Sequence, residues 1–136
     1  MREVWEVPND CQKHMIIGRI IEIVRNAEDQ TSLLDICVEE RRTINNEDIV
    51  IYEVFSVKIT IYQEKELSAK LNIGQKVECR YFTFNKLNYC TYLVIVDKDF
   101  IPAELKEKQR IEAKRLRTAV KIQDKQERKK VYDFES

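Results

Sequence analysis

The chain has 136 residues, 43% of them apolar, which suffices for one domain whose core needs neither disulfides nor metal. Its 24 basic and 24 acidic residues balance overall, but 11 basic and seven acidic residues lie from position 103 onward, so the first 102 residues carry a net charge of −4. This acidic part argues mildly against tight nucleic-acid binding. The chain lacks a run of about 18 apolar residues and an apolar N-terminal stretch, so we expect a cytoplasmic protein with no membrane partner.

Residue types that carry enzyme chemistry are sparse. Only two glycines are present, so neither a phosphate-binding loop nor a dinucleotide-binding turn can be built. Cys11 and His14 have ligand-like spacing, but a second half-site for zinc is missing. The other cysteines lie inside predicted strands and are expected to be reduced thiols: Cys37, Cys79 and Cys90. We therefore predict a binding protein without enzymatic activity, cofactor or metal.

The first half of the chain begins with a lead over residues 1–13, which Trp5 and Val7 are expected to anchor. The apolar run Met15–Val24 predicts a first strand buried on both faces, and Gly18 within it predicts a bulge or sharp coil. The alternation over 32–40 predicts a second strand. The polar residues 39–48 then form a hairpin connection, in which Asn45-Asn46 tolerates left-handed turn geometry and which we expect to be a mobile finger.

The middle of the chain determines the fold prediction. It begins with a long β-rich run over 49–62, which is followed by a helix-like segment over 63–72. A glycine turn at Gly74 then leads into a strand that ends at Phe84, and a turn over 85–88 precedes a last strand over 89–96. Strand, short helix, glycine turn and strand form the middle of a small oligonucleotide/oligosaccharide-binding (OB) barrel. We predict a mainly β protein: residues 1–102 form a five-stranded OB-fold barrel with an N-terminal lead and a short helix between strands three and four.

The outer faces of strands three and four combine cations with aromatic rings. Side chains alternate across a strand, so the inward positions are Phe55, Val57, Ile59 and Ile61 in one and Val77, Cys79 and Tyr81 in the other. The outward positions include Tyr52, Lys58, Tyr62, Arg80 and Phe82. Such a surface can stack bases and neutralise phosphates, although a face that packs under a loop or a partner has the same pattern.

The C-terminal part, residues 103–136, is a charged and mostly helical extension. Ala103–Lys130 contains no glycine or proline and is dense in helix formers, so it predicts one long helix. Its sparse apolar residues lie on two stripes and form no heptad, which argues against a coiled coil. We expect its first turns to pack on the barrel or on a partner.

Several short motifs of the predicted barrel resemble bacterial single-stranded DNA-binding (SSB) proteins and their small phage or plasmid-type relatives. The motifs are Ile17-Gly18-Arg19-Ile20, the apolar strand Val57 to Tyr62, the helix Gln63–Leu71 and Ile73-Gly74-Gln75-Lys76-Val77. The resemblance spans about residues 15–100 and is generic to OB barrels. The chain departs from the family in replacing the low-complexity linker with a charged helix, and its C-terminal residues lack the family's acidic run and proline-phenylalanine end.

The resemblance implies binding of single-stranded nucleic acid, most readily DNA and possibly RNA, with weak sequence preference and no catalysis. Aromatic residues would stack bases and basic residues would hold phosphates. The residues that the resemblance and its extension along strand four imply are Tyr52, Lys58, Tyr62, Arg80, Phe82, Phe84, Lys86 and Tyr92.

The alternative is an interaction subunit of a replication, repair or telomere-type complex. Small OB subunits of such complexes also follow the barrel with a long helix and use it to dock a partner. In this hypothesis the protein is a homo-oligomer or binds another protein through the barrel and helix. The helix residues expected to contact the partner are Leu105, Ile111, Leu116 and Val120.

Overall fold

A computed structural model describes residues 5–67, 70–96 and 103–135, and within the last range it describes side chains over 106–126. The elements in chain order are β1 (Lys13–Asn26), β2 (Thr31–Ile44), β3 (Glu47–Thr60), α1 (Ile61–Lys65), β4 (Lys76–Phe84), β5 (Leu87–Ile95) and α2 (Ala103–Glu135). None of the helices in these ranges is both long and apolar enough to cross a bilayer.

The five strands close into a barrel in the order β1-β2-β3-β5-β4. β1 pairs antiparallel with both β2 and β4, and the barrel is closed by a short parallel contact in which Val57 and Lys58 of β3 lie opposite Asn88 and Tyr89 of β5. This arrangement, with the short helix after β3 and the long helix after β5, confirms the predicted fold.

The interior is filled by the inward residues of all five strands. Leu34 and Ile36 of β2, together with Val57 and Ile59 of β3, are fully buried, as the alternation predicts. Strand β4 contributes to the same core, whose buried members from β4 and β5 include Val77, Cys79, Tyr81, Cys90 and Leu93. The four cysteines are free, and three of them are buried within strands.

The bulge in β1 lies after Gly18, the residue at which it was predicted. The register with β2 shifts between Ile20 and Glu22, whereas Gly18 stays in regular pairing with Val77 of β4. Gly18 instead allows close approach of two strands, because a Cβ atom there would lie 2.6 Å from the carbonyl oxygen of Cys37.

Helix α1 begins earlier and ends earlier than the predicted segment 63–72, of which residues 68 and 69 lie outside the described ranges. Thr60 caps its N-terminus: its hydroxyl accepts a hydrogen bond from the backbone N–H of Gln63, and the Gln63 side chain accepts one from the N–H of Thr60. This capping box ends β3 at Thr60, so Tyr62 lies on the helix and not on the strand.

Helix α2 packs across the outer wall of the barrel. Ala113 and Leu116 are buried against Ile21 of β1 and Cys37 of β2. Val120 packs on the same cluster, as does Tyr52 of β3. The predicted long helix is therefore present, and its apolar stripe contacts the chain's own barrel. We call this α2-covered surface the covered wall.

Candidate nucleic-acid interface

A cleft of about 470 Å³ lies over β2 and β3, between the β1–β2 turn and the β4–β5 hairpin. We call it the loop cleft. Its floor includes Leu33 and Lys58, one wall is formed by Asp29 and the end of β1, and the other by Lys86 and Leu87. It lies beside the covered wall, on the part of the sheet that α2 leaves open.

The β4–β5 hairpin presents an exposed ring, a cation and an aliphatic side chain. Asn85 and Lys86 have φ values of 50° and 65°, which is the left-handed pair of a tight two-residue hairpin turn. Phe84 and Leu87 are opposite each other in the register and 47% and 50% exposed, and such cross-strand partners share one face of the sheet. Leu87 lines the loop cleft, and Phe84 is its neighbour on the adjacent strand.

The floor of the loop cleft has one cation held by one carboxylate. Nζ of Lys58 lies 3.3 Å from Oδ2 of Asp29. The Thr31 hydroxyl donates a hydrogen bond to Oδ1 of Asp29, and this bond, followed by the Lys58 ammonium, lowers the pKa of the Asp29 carboxyl below its ordinary value. Asp29 is thus ionised at neutral pH and partly neutralises Lys58.

An amide on the hairpin fixes the wall of the cleft to its floor. Nδ2 of Asn88 donates a hydrogen bond of 3.1 Å to the carbonyl of Ser56, and its Oδ1 accepts one of 2.7 Å from the Thr83 hydroxyl. Two of the eight residues predicted from sequence, Lys58 and Lys86, therefore line one cleft, and a third, Phe84, is paired across the hairpin with Leu87 of that cleft.

Tyr52 is on the outer face of β3, as its parity predicts, but its ring is not open to a ligand, which corrects its predicted role. It lies under α2, where the Arg115 guanidinium donates a 3.4 Å hydrogen bond to its hydroxyl. The Gln123 side chain also accepts from the Tyr52 N–H at 3.0 Å and donates to the Tyr52 carbonyl at 2.7 Å. The ring belongs to the covered wall.

Phe82 is also covered, since only 3% of it is exposed. Its ring stacks on Tyr89 with centroids 5.4 Å apart, and Trp5 meets Tyr89 edge-on at 5.2 Å. Trp5 therefore packs on the barrel as predicted, and Tyr89 stacks on Phe82, a buried aromatic residue that parity had placed outside.

Arg80 and Tyr92 lie on a different wall, formed by β1, β4 and β5. The guanidinium carbon of Arg80 is 4.7 Å from the centre of the Tyr92 ring, a cation–π pair, and Glu78 lies 3.7 Å from the same guanidinium. Tyr62, the remaining predicted residue, is half-buried on α1. None of these three lines the loop cleft.

Two of the helix residues predicted to contact a partner are used inside the chain. Leu116 is 3% exposed and Val120 packs beside it on the covered wall. Ile111 is 60% exposed on the opposite face of α2, and the side chain of Leu105 lies outside the described set. The predicted role thus fails for Leu116 and Val120 because the barrel itself is the surface on which they pack.

A second cleft, of about 380 Å³, was not anticipated from the sequence. It lies at the end of the barrel between β1, the segment before β4 and α2, and its lining includes Arg25, Lys70, Lys106 and Arg110. We call it the barrel-end cleft. The four cations come from three distant parts of the sequence, so no local pattern indicates their proximity.

Within the described residues, no group of three or more histidine, cysteine, aspartate or glutamate side chains is arranged to hold a metal ion. No family model matches the chain, and no curated protein is significantly similar to it in sequence. The functional assignment therefore depends on the geometry of the two clefts and on the fold.

Proposed function

We propose that the protein binds single-stranded nucleic acid in the loop cleft, with DNA as the first ligand to test. The observation that carries the proposal is the meeting of Lys58, Lys86 and Leu87 around one open groove on the β2–β3 face, with the exposed Phe84 paired across the hairpin with Leu87. In OB barrels this face, with the β1–β2 and β4–β5 loops, is the surface that takes oligonucleotides and oligosaccharides.

The chemistry of the groove favours a polyanion with flat apolar groups over a neutral sugar chain. Lys58 and Lys86 supply ammonium groups that can contact phosphates. Phe84 offers an exposed ring for stacking, and Leu33 and Leu87 add exposed apolar contact area. The groove therefore offers both phosphate contacts and apolar contacts for bases, and a single strand needs both.

The same groups predict modest affinity and weak sequence preference. Lys58 already has Asp29 as a partner, so a phosphate must share that cation or displace the carboxylate. The Asn88 amide donates to Ser56 and accepts from Thr83, which leaves one of its N–H groups for a base edge. Stacking on Phe84 accepts any base.

The direct test is fluorescence anisotropy with a labelled dT oligonucleotide at low and moderate salt. We expect wild-type binding that weakens as salt rises, because bound phosphates release counterions. Phe84→Ala is expected to weaken binding by about 1–3 kcal/mol, the usual contribution of one stacked base. Lys86→Asn, which keeps a residue tolerant of positive φ, should lower the salt dependence.

The matched control is Tyr92→Ala, which removes an exposed ring from the other wall. It should leave affinity unchanged if the loop cleft is the site. Equal losses for Phe84→Ala and Tyr92→Ala, or wild-type affinity that is independent of salt, would contradict the proposal. Competition between RNA and DNA oligonucleotides of the same sequence then shows which is preferred.

A second candidate function, docking of a protein partner, is favoured by one observation. Met15 of β1, Arg80 of β4 and Tyr92 of β5 are aligned in one row of the sheet, and Met15, Ile17, Tyr92 and Val96 are all exposed on this wall. Contiguous exposed apolar side chains are typical of interaction surfaces. Sedimentation analysis should show self-association or partner binding that Ile17→Asp abolishes, while oligonucleotide affinity stays unchanged.

A further inference from the structure

The barrel-end cleft collects positive charge that only the folded chain creates. Arg25 comes from the end of β1, Lys70 from the segment before β4, and Lys106 and Arg110 from the first turns of α2. Two of the four are paired: Arg25 with Glu64 at 2.7 Å and Arg110 with Glu107 at 3.8 Å. In the described part of the chain, no carboxylate lies within ion-pair distance of Lys70 or Lys106.

The segment that carries Lys70 is held in place by its own hydrogen bonds. The Gln75 side chain donates to the Lys70 carbonyl at 2.9 Å and accepts from the Asn72 N–H at 2.7 Å. Arg19 donates to the Gly74 carbonyl at 2.7 Å, and the Gly74 N–H donates to the carbonyl of Ile20 at 2.8 Å. The backbone beneath Lys70 is therefore fixed to β1.

The same segment is in close contact with α2. Gly74 has a φ of +98°, and a Cβ atom there would lie 2.4 Å from the carbonyl oxygen of Gln109. Gln109 lies on α2 between Lys106 and Arg110, so this contact sets the distance between the Lys70 segment and the helix cations. The four cations of the barrel-end cleft are therefore carried by β1, the segment before β4 and α2, which are in direct contact.

The end of β1 separates the two clefts. Val24 and Asn26 line the loop cleft, whereas Ile23 and Arg25 line the barrel-end cleft. Successive side chains of a strand point to opposite faces about 3.3 Å apart along the chain. A ligand that leaves the loop cleft across this strand end therefore arrives at the four cations.

We propose that the barrel-end cleft holds phosphates of the same single strand whose bases occupy the loop cleft. This inference rests on the proposed function and extends it: the binding site continues around the end of β1 onto α2. Lys70 and Lys106 are the principal phosphate contacts, because Arg25 and Arg110 already have carboxylate partners.

The test compares two double variants with the same change in net charge. Lys70→Gln/Lys106→Gln removes the two unpaired cations of the barrel-end cleft. Lys114→Gln/Lys121→Gln removes two exposed cations of α2 that line neither cleft. Each protein is titrated with dT oligonucleotides of about 4 and about 16 nucleotides, the limits of strand length that one OB barrel covers.

We expect the first double variant to bind the longer oligonucleotide more weakly and the shorter one as the wild type does. Two lost phosphate contacts should reduce the slope of log affinity against log salt by about 1.4 for a single strand. Between about 50 and about 200 mM salt, the wild type should then lose roughly sevenfold more affinity than the variant. The Lys114/Lys121 control should keep the wild-type slope.

Two different results would overturn the inference, and they are distinguishable. Wild-type binding of the longer oligonucleotide with equal salt slopes in all three proteins would refute the extended site alone. Failure of the wild type to bind either oligonucleotide at low salt would refute the proposed function together with its extension.

Discussion

The covered wall and the loop cleft are neighbouring parts of one sheet surface, formed by the same strands, and they have opposite accessibility. On the covered wall the outward residues include Ile21, Cys37 and Tyr52, and α2 packs on them. In the loop cleft the outward positions of the same strands include Leu33 and Lys58, and solvent reaches them. The alternation of residues along a strand therefore predicts which side chains point outward. Whether those side chains are accessible to solvent depends on where α2 packs.

The largest expected effect comes from Leu116→Ala, which removes the main apolar contact of α2. Leu116 is almost fully buried between helix and barrel, and truncation at such a site costs about 3 kcal/mol through lost burial and a cavity. Urea unfolding measures the change in the free energy of unfolding. Ile111→Ala, on the exposed face of the same helix, should shift it by less than about 0.5 kcal/mol; equal shifts would mean that the two faces of α2 do not differ.

Gly74→Ala should have the next largest effect, because it strains the contact between α2 and the segment before β4. The substitution places a Cβ atom at a φ of +98° and against the Gln109 backbone. We expect a loss of about 2 kcal/mol in unfolding free energy. Relative to the wild type, amide hydrogen exchange in the variant should accelerate more in the first turns of α2 than in the barrel strands. The same acceleration in both regions would contradict a local effect.

Gln123→Ala should cost about 1 kcal/mol, since it removes both hydrogen bonds to the Tyr52 backbone. The same urea experiment applies. Gln126→Ala is the control, because Gln126 is an exposed residue one turn further along α2. Both substitutions change helix propensity in the same way, so a loss for Gln126→Ala as large as that for Gln123→Ala would contradict the importance of the contact with β3.

The effect that is smallest at neutral pH is a dependence of stability on pH, which appears only above about pH 8.5. Burial raises the pKa of the Cys37 thiol to about 11, and the Glu39 carboxylate adds to the increase. Because the folded pKa exceeds the unfolded value of about 8.5, this contribution to stability is complete below about pH 8.5 and is lost as pH rises toward 11. The unfolding free energy should therefore fall less steeply in Cys37→Ala than in the wild type over that range, and parallel pH profiles would argue against a buried thiol.

Local chemistry allowed the fold and one part of the site to be predicted from sequence. The alternation around Val57 and Val77 determines which residues fill the barrel, and a turn directly after Phe84 was predicted, although it contains only Asn85 and Lys86 and not the expected residues 85–88. These features depend on neighbouring residues, so a single sequence is sufficient to indicate them.

The rest of the site depends on contacts between distant residues. Tyr52 is covered by residues of α2 more than 60 positions away, and Phe82 by a stack that begins at Trp5. The barrel-end cleft forms where β1, the segment before β4 and α2 come together. The residue pattern within any one of these segments does not predict that they are neighbours. The basic character of the C-terminal residues was visible in the sequence, but its location on the barrel was not.

The two hydrogen bonds between Gln123 and the Tyr52 backbone also bear on solubility. Among the described residues, strand β3 pairs with β2 along its whole length but with β5 only at Val57 and Lys58, so much of its other side is an unpaired strand edge. Such an edge can recruit a strand from another molecule and seed aggregates. Gln123 of α2 occupies the backbone N–H and carbonyl of Tyr52, midway along this edge. It therefore hinders edge-to-edge pairing of β3 with a strand of another copy.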